Sequence, residues 1–300
     1  MAWLVRAATD RNPPTLGGRG CQRDLVLSSQ TRREITSELG RWENHISPVL
    51  GKYELDKIKN LQILQLKKTL ETKKLSPQTI YHCLSLVRRV LRRAEEWELY
   101  PGPVPRFRMP KFDNRRLRFL TPSEVSLLLK KLEERSVLWR DMAAFAVYTG
   151  LRAGEIYSLR PFAVDTENAQ VKIYDSKNSL SRVVPLNPHA LAIAGKYKRA
   201  SRQDFPLFQD QGRLPEHTYH IFRKAVRACG FNTGVTDRRE RVCFHSLRHT
   251  FASWLVQSGT PLALVSRLLG HKDIKMTMRY AHLAPDQAKA AVDILAKVRL

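Results

Sequence analysis

The stretch at residues 243–257 reads Cys-Phe-His-Ser-Leu-Arg-His-Thr-Phe-Ala-Ser-Trp-Leu-Val-Gln. Its apolar residues recur at helical spacing, which predicts a helix with one face in the core. His245 and Arg248 are three residues apart in its first turn, so we expect them to point the same way. Backbone N–H groups at the start of a helix favour anions, and this turn therefore suits a phosphate.

The charge balance indicates a polyanionic partner. The 300 residues contain 52 Lys and Arg against 28 Asp and Glu, a formal net charge of +24 at pH 7. Basic side chains that neutralise phosphates release counterions, so a nucleic acid is the first expectation. A surface that is merely solvated, or one that binds acidic membranes, ranks below it, because the sequence shows no lipid-anchor motif or long amphipathic terminal helix.

Hydropathy and cysteine usage predict the compartment. No apolar run approaches the roughly 18 residues of a membrane span, and the first apolar run is too short for a signal peptide. The four cysteines, at positions 21, 83, 229 and 243, show neither a CxxC pair nor zinc-ligand spacing. Scattered thiols are typical of a reducing compartment. We therefore expect a cytoplasmic protein without a metal site or a membrane partner.

Prolines divide the chain into two domains. Four prolines between residues 101 and 110 are followed by basic residues, and prolines stop helices and stiffen linkers. The predicted order is an irregular tail at 1–28, a helical domain at 29–105, a basic linker at 106–118 and a second domain at 119–300.

The predicted helical domain has basic faces. Ser76-Pro77 is expected to start a helix, because Ser caps a helix and Pro fits its first turn. The residues proposed to bind DNA are Arg88, Arg89, Arg92 and Arg93 on the polar face of that helix, with Arg115 and Arg116 in the linker. The alternative is that these are ordinary solvated surfaces.

The second domain combines helices with one hairpin. Thr121-Pro-Ser-Glu is a capping box, and Gly150 suits the C-terminal cap of a later helix. Residues 170–175 and 180–186 alternate as a β-hairpin with Lys177 near its tip. Further helices are expected at 188–200, 215–229, 245–257, 261–269 and 285–298. The predicted class is mainly α with a small antiparallel β-sheet or hairpin.

The polar residue types of this domain suit phosphoryl transfer. Arg152, expected at a helix start, and Arg248 can present planar forks to phosphate oxygens and stabilise charge that develops on phosphorus. A tyrosine can attack phosphorus, and a lysine can protonate the leaving oxygen. The sequence shows no carboxylate cluster suited to Mg²⁺.

Residues 149–159, 243–257 and 266–282 closely resemble the tyrosine recombinases, the phage-integrase class of site-specific DNA recombinases. The Leu-Leu-Gly-His and Arg-Tyr-Ala-His contexts, and the interval between that His and Tyr, are very specific to this family. The resemblance covers about 119–283 strongly and about 30–100 more weakly. It implies the catalytic residues Arg152, Lys177, His245, Arg248, His271 and the nucleophile Tyr280, with Glu155 supporting the first arginine.

The resemblance also implies an architecture and a reaction. A SAM-like core-binding domain and a catalytic domain would form a C-shaped clamp on double-stranded DNA. The enzyme would cleave and rejoin DNA through a 3′-phosphotyrosyl intermediate, without cofactor, metal or ATP. A homotetramer would assemble on recombination sites through residues 284–300, in the cytoplasm with the nucleoid. Accessory DNA-bending or directionality proteins would be further partners.

The leading hypothesis is therefore an integrase of a prophage or other mobile element. Three other functions stay open: a non-catalytic sequence-specific DNA-binding regulator with the same fold, a Xer-like chromosome or plasmid dimer resolvase, and a topoisomerase-like relaxing enzyme. Residues 261–280 resemble a helix-turn-helix, which on its own favours the regulator. The tail at 1–28 is too short for a separate arm-binding module, so the enzyme is either of the simpler Xer-like kind or truncated at its start.

Some single residues need a separate interpretation. Ser246 stands where the family commonly has Asp, which is expected to weaken a local helix cap. His249, four residues after His245, is expected to pack rather than to bind a metal. Lys172 is the alternative to Lys177 as the general acid, and Gly154 permits a close backbone approach.

Overall fold

The computed structural model describes residues 32–100, 102–113, 118–174, 181–200, 205–209 and 219–285. The chain divides into two compact units, residues 1–114 and 115–300. The features predicted outside the described residues are the tail at 1–28, Arg115, Arg116, Lys177, and the C-terminal segment from residue 286 onward.

The first unit is built from helices. They are α1 (Arg32–Arg41), a π-helical turn (Trp42–Ile46), α2 (Ser47–Leu50), a 3-10 turn (Leu55–Lys57), α3 (Asn60–Thr72) and α4 (Pro77–Glu96). The hydroxyl of Ser76 accepts a hydrogen bond from the backbone N–H of Thr79 at 3.2 Å, and Pro77 takes the first helical position. The start of α4 is therefore the predicted one, and its apolar face is buried with Trp42 and Leu66 in one core.

Along the chain, the second unit has helices before and after a small β-sheet. Its elements are α5 (Pro122–Glu133), α6 (Val137–Thr149), α7 (Ala153–Ser158), a 3-10 turn (Pro161–Ala163), β1 (Val164–Asp165), β2 (Gln170–Tyr174), β3 (Ser181–Pro185), α8 (Pro188–Ala200), α9 (His220–Ala228), α10 (Phe244–Gln257), α11 (Leu262–Leu269) and two 3-10 turns (Ile274–Met276 and Met278–Leu283). None of the helices in the described ranges is long and apolar enough to cross a membrane.

Helix α6 is the centre of this unit. It packs against α5, α8 and α10, and small residues such as Ala143 and Ala146 let these neighbours approach closely. Trp139 and Phe145 are fully buried, and the ring of Trp139 meets that of Phe244 edge-on at 5.9 Å. The aromatic cluster therefore fixes the first residue of α10 against α6.

The sheet is antiparallel, in the order β1-β2-β3. Val171 pairs with Val184, and Lys172 with Val183. Alternate residues of β2 are buried and exposed, as a strand with one covered face requires. The predicted class, mainly α with a small antiparallel sheet, is confirmed.

Helix α6 ends on a left-handed glycine. Gly150 has a φ of 65°, and its N–H donates to the carbonyl of Ala146 at 3.0 Å. A Cβ at Gly150 would lie 2.3 Å from the ring of Phe251 on α10. By contrast, a Cβ at Gly154 would meet nothing within 4 Å, so the close approach expected at Gly154 is absent, and it is Gly150 that needs to be glycine.

We expect Gly150→Ala to lower the free energy of unfolding by about 2–4 kcal/mol, because left-handed strain adds to overpacking against Phe251. Urea denaturation of the purified chain measures it. Gly154→Ala is the matched control, since alanine favours a helix and its Cβ has room. Equal stabilities for the two variants would contradict this account of the α6 terminus.

Candidate active site

Arg248 lies at the centre of the site. Its side chain is buried, with the residue 3% exposed. The guanidinium donates to the carbonyl oxygens of Gly150 at 2.8 Å and Leu269 at 2.7 Å. Both acceptors stand at helix C-termini, where carbonyls lack helical partners and the helix dipole is negative. Arg248 on α10 therefore joins the ends of α6 and α11.

Arg152, at the start of α7, contacts the turn at the C-terminal end of α11. Its Nη2 donates to the carbonyl of Gly270 at 3.2 Å, and its Nη1 to Oε1 of Glu155 at 2.9 Å. The backbone N–H of Arg152 donates to the other oxygen of Glu155 at 2.8 Å. Gly270 is the left-handed cap of α11, with a φ of 65°. Each arginine therefore binds a helix end that a glycine terminates.

Arg182 holds Glu155 from the other side. Its two terminal nitrogens donate to the two carboxylate oxygens of Glu155 at 2.9 and 2.7 Å, a bidentate pair. A Cβ at Gly270 would lie 2.8 Å from the Arg182 side chain. Glycine at position 270 therefore leaves room for the Arg182 guanidinium. The family resemblance implies Glu155 but not Arg182, and nothing in local spacing connects α7 with β3.

His271 follows the α11 cap directly. Its Nδ1 and the hydroxyl of Thr277 are 2.8 Å apart, and Thr277 is fully buried. The imidazole is therefore oriented by the turn between α11 and the last 3-10 turn.

Tyr280 lies in that last turn with its hydroxyl inside the protein. It is 6% exposed and belongs to a small apolar cluster with Ala252 and Val256 of α10. Its Oη is 2.5 Å from Nδ1 of His249. The expectation that His249 serves only in packing is therefore incomplete, because its ring nitrogen meets the hydroxyl of the predicted nucleophile. Helical spacing places His249 on the buried face, but it does not show which segment covers that face.

His245 lies one turn before His249 and is exposed. The two rings meet edge-on, with centroids 4.8 Å apart. Arg248, three residues later, is buried, so the two side chains differ in solvent exposure.

Ser246 keeps the cap that its family counterpart was expected to provide. Its hydroxyl accepts from the backbone N–H of Cys243 at 3.1 Å, which closes a capping box at the start of α10. Ser246 is fully buried, and the prediction that it weakens this cap relative to aspartate stays a prediction.

The electrostatics of the site favour an anion. Burial, with Arg152 nearby, lowers the pKa of Arg248 to about 9, so the group is still protonated at neutral pH. Burial opposes the charge of Glu155, but hydrogen bonds from Arg182 and from the Arg152 backbone outweigh it and lower its pKa. One carboxylate thus faces three guanidinium groups, and the local charge is positive.

Two titratable groups of the C-terminal turns, His271 and Tyr280, are neutral at pH 7. Burial, reinforced by Arg248 and Arg152, lowers the pKa of His271 to about 4. Burial raises the pKa of Tyr280 to about 12. The described part of this unit therefore combines two fixed arginines, a neutral imidazole and a protonated phenol. Such a set can hold a phosphate and offer it a nucleophile.

The remaining predicted residues have separate positions. Lys177 lies outside the described residues, and Lys172 is exposed on β2. In the first unit, Arg88 donates to the carbonyl of Phe107 at 3.1 Å and lies over its ring. The other arginines of this face are an ion-paired Arg89 (2.6 Å from Glu38), an exposed Arg92, and Arg93 over the ring of Trp97. The described residues contain no group of three His, Cys, Asp or Glu side chains suited to a metal ion.

Comparisons with known proteins place this site in context. A profile described as "Phage integrase family" matches residues 118–287. The integrase of Salmonella phage P22 is 32% identical over 214 residues, which cover 68% of this chain and 53% of the P22 protein. The tyrosine recombinase XerA of Saccharolobus solfataricus is 26% identical over 269 residues, 88% of this chain and 80% of its own length. The chain thus spans about half the length of the P22 relative.

Solved structures show the same fold. A Tn1549 transposon integrase fragment in complex with a circular intermediate DNA has a TM-score of 0.73 at 19% identity, covering 90% of this chain and 96% of that one. A lambda integrase tetramer bound to a Holliday junction has a TM-score of 0.74 at 18% identity, covering 95% and 81%.

We expect His271 to make stability fall in acid. Its pKa is about 4 in the folded chain and near 6.5 when unfolded, so the unfolded state binds the proton first as the pH drops. Stability that is complete above pH 6.5 is then lost between pH 6.5 and 4. Urea denaturation measures the free energy of unfolding at pH 7.5 and at pH 5. Between these two pH values it should fall by about 1 kcal/mol less in His271→Asn than in wild type, after allowance for solvent screening. His282→Asn, at an exposed position, is the control; a wild-type slope in His271→Asn would contradict the prediction.

Proposed function

Since the chain belongs to the phage integrase family, we propose that it is a site-specific DNA recombinase that cleaves and rejoins DNA through a 3′-phosphotyrosyl intermediate. The observation that carries the proposal is the convergence of Arg152 and Arg248 on the turn that leads into His271 and Tyr280. Arginines fixed by backbone carbonyls are pre-organised for charge that develops in a transition state.

The proposed reaction assigns a role to each of these groups. The two guanidinium groups bind the non-bridging oxygens of the scissile phosphate, and His271 and the exposed His245 donate further hydrogen bonds. The Oη of Tyr280 attacks phosphorus, the bond to the 5′-oxygen breaks, and a phosphotyrosyl link forms. A 5′-hydroxyl from another strand then attacks this link and restores a DNA backbone. The phosphotyrosine conserves the bond energy, so that rejoining consumes no ATP.

Glu155 and Arg182 serve this site through Arg152. The bidentate pair fixes the carboxylate, and the carboxylate fixes both the backbone and the side chain of Arg152. We assign both as positioning residues, because neither is required to touch the phosphate.

Lys177 is proposed as the acid that protonates the leaving 5′-oxygen. The position rests on the order of residues in the family motif and on the hairpin whose strands β2 and β3 flank it. The chemistry requires a proton donor there, because an alkoxide is a poor leaving group.

DNA contacts are proposed for both units. In the first unit the exposed Arg92 is better placed for phosphates than Arg88, whose guanidinium is held by Phe107. The exposed Arg89 is proposed as a contact as well, and a phosphate there would compete with its ion pair to Glu38. We propose Arg93 of the same helix as a further contact, and Arg115 and Arg116 on the basis of the sequence alone. The net charge of +24 supports a salt-sensitive duplex contact.

The biological reaction we propose is integration or excision of a mobile element, at recombination sites on the nucleoid. The P22 relative, named an integrase, supports this choice, and the XerA relative keeps dimer resolution as the second candidate. Assembly as a tetramer through residues 284–300 and recruitment of accessory DNA-bending or directionality proteins belong to the same proposal.

We expect Tyr280→Phe to bind DNA like wild type but to form no covalent adduct, because the attacking oxygen is gone. A nicked suicide substrate that carries the recombination site traps the wild-type adduct, which denaturing electrophoresis detects. Tyr174→Phe, at an exposed position on β2, is the matched control and should retain full trapping. A covalent adduct of Tyr280→Phe would refute the assignment, and the absence of an adduct from wild type would favour a non-catalytic DNA-binding regulator.

For the proposed acid, Lys177→Ala should lose at least a hundredfold in cleavage of normal DNA. On a substrate with a 5′-bridging phosphorothiolate, whose sulfur leaves without a proton, the rate should recover to within a few fold of wild type. Lys172→Ala is the control and should cleave both substrates normally. The reverse pattern would move the acid to β2.

A further inference from the structure

The environment of Tyr280 is set by one stripe of α10. His245, His249, Ala252 and Val256 follow one another at intervals of four, three and four residues, so they lie on one face of the helix. The ring of Tyr280 packs on the apolar half of this stripe. Its hydroxyl end therefore reaches the polar half, at His249.

The contact made there joins two buried polar groups. Oη of Tyr280 and Nδ1 of His249 are 2.5 Å apart, and the two residues are 6% and 4% exposed. Buried polar groups are costly unless they are hydrogen-bonded, so packing and polarity both hold this geometry.

Attack on phosphorus requires that the phenol lose its proton. Burial raises the pKa of Tyr280 to about 12 even though Arg279 and Arg248 act in the opposite direction. The hydroxyl therefore carries its proton at neutral pH, and an acceptor must lie within hydrogen-bond reach during the attack.

The other two imidazoles of the site are less suited to accept that proton. Nδ1 of His271 is in contact with the Thr277 hydroxyl, and burial together with Arg248 and Arg152 opposes its protonation. His245 is exposed, and its ring meets that of His249 edge-on. It therefore lies one helical turn beyond His249 along the stripe.

We propose that His249, a residue outside the six-residue set implied by the family, is the catalytic base for Tyr280. The proposal rests on the proposed function. As the bond from Oη to phosphorus forms and the bond to the 5′-oxygen breaks, the phenolic proton moves to Nδ1, and the 5′-oxygen takes its proton from the general acid. In rejoining, the 5′-oxygen bonds to phosphorus while its proton returns to the general acid, the bond from Oη to phosphorus breaks, and Nδ1 returns its proton to Oη. Protons balance over the two steps without a further reactant.

His249→Asn tests the proposal. The asparagine amide oxygen occupies a similar place to Nδ1 and still accepts a hydrogen bond from Oη. Unlike an imidazole, however, the amide takes up no proton near neutral pH. We expect DNA binding to be unchanged and single-turnover cleavage of the nicked substrate to fall about 100- to 1,000-fold. His282→Asn, at an exposed position two residues after Tyr280, is the control and should cleave normally.

The pH profile separates a base from a group that only positions Tyr280. The titratable and charged neighbours are His245 and Arg248 on α10, with Arg279 beside the tyrosine, and all three remain in the variant. The wild-type rate should level off once His249 is neutral. The rate of His249→Asn should rise tenfold per pH unit up to about pH 10, because hydroxide must then ionise the phenol.

A second measurement places a fluorinated tyrosine at position 280, which lowers the pKa of the phenol. It should rescue most of the loss in His249→Asn while changing the wild-type rate little. His249→Gln takes the place of His249→Asn if the latter does not fold. A variant that cleaves at the wild-type rate, or one that is slowed but keeps the wild-type pH profile, overturns the proposal. Absence of an adduct from wild-type protein would instead refute the proposed function and this proposal together.

Discussion

The site depends on a positive charge buried between two helix ends. The guanidinium of Arg248 is removed from water, which is costly for any charge, and its lowered pKa is the electrostatic sign of that cost. The carbonyls of Gly150 and Leu269 offset part of it, because each lies at the negative end of a helix dipole. A bound phosphate would offset the rest. The same bonds that hold the folded chain together therefore leave the site suited to a bound anion.

The other parts of the site are arranged around this charge. Arg152 donates to the next carbonyl of the same turn, that of Gly270. The carboxylate of Glu155 partly neutralises Arg152 and Arg182. Burial, reinforced by repulsion from Arg248 and Arg152, keeps His271 neutral. Tyr280 packs against the apolar residues Ala252 and Val256 of α10, and burial keeps its hydroxyl protonated at neutral pH.

The sequence predicts much of this fold because its strongest signals are local. Ser76, Thr121 and Gly150 are capping signals whose effect is complete within one turn, and the alternation in β2 is visible within five residues. The family motif supplies Arg152, Arg248 and Tyr280 as a set. What it does not supply are contacts between distant segments. Arg182 meets Glu155 across 27 positions, and His249 meets Tyr280 across 31. Spacing on a helix tells which residues are buried, but only the tertiary structure shows what they touch.

Two glycine-capped helix ends, at Gly150 and Gly270, have a consequence for anyone who would move this chemistry to another scaffold. The arginines are oriented by backbone carbonyls rather than by side chains alone. A graft that copied the proposed catalytic side chains without these helix termini would leave both guanidinium groups without their backbone acceptors. Such a design would need to transplant the turn at 269–271 and the end of α6 as backbone, with the supporting shell included. The transferable unit is thus a junction of helices, which is larger than a list of residues.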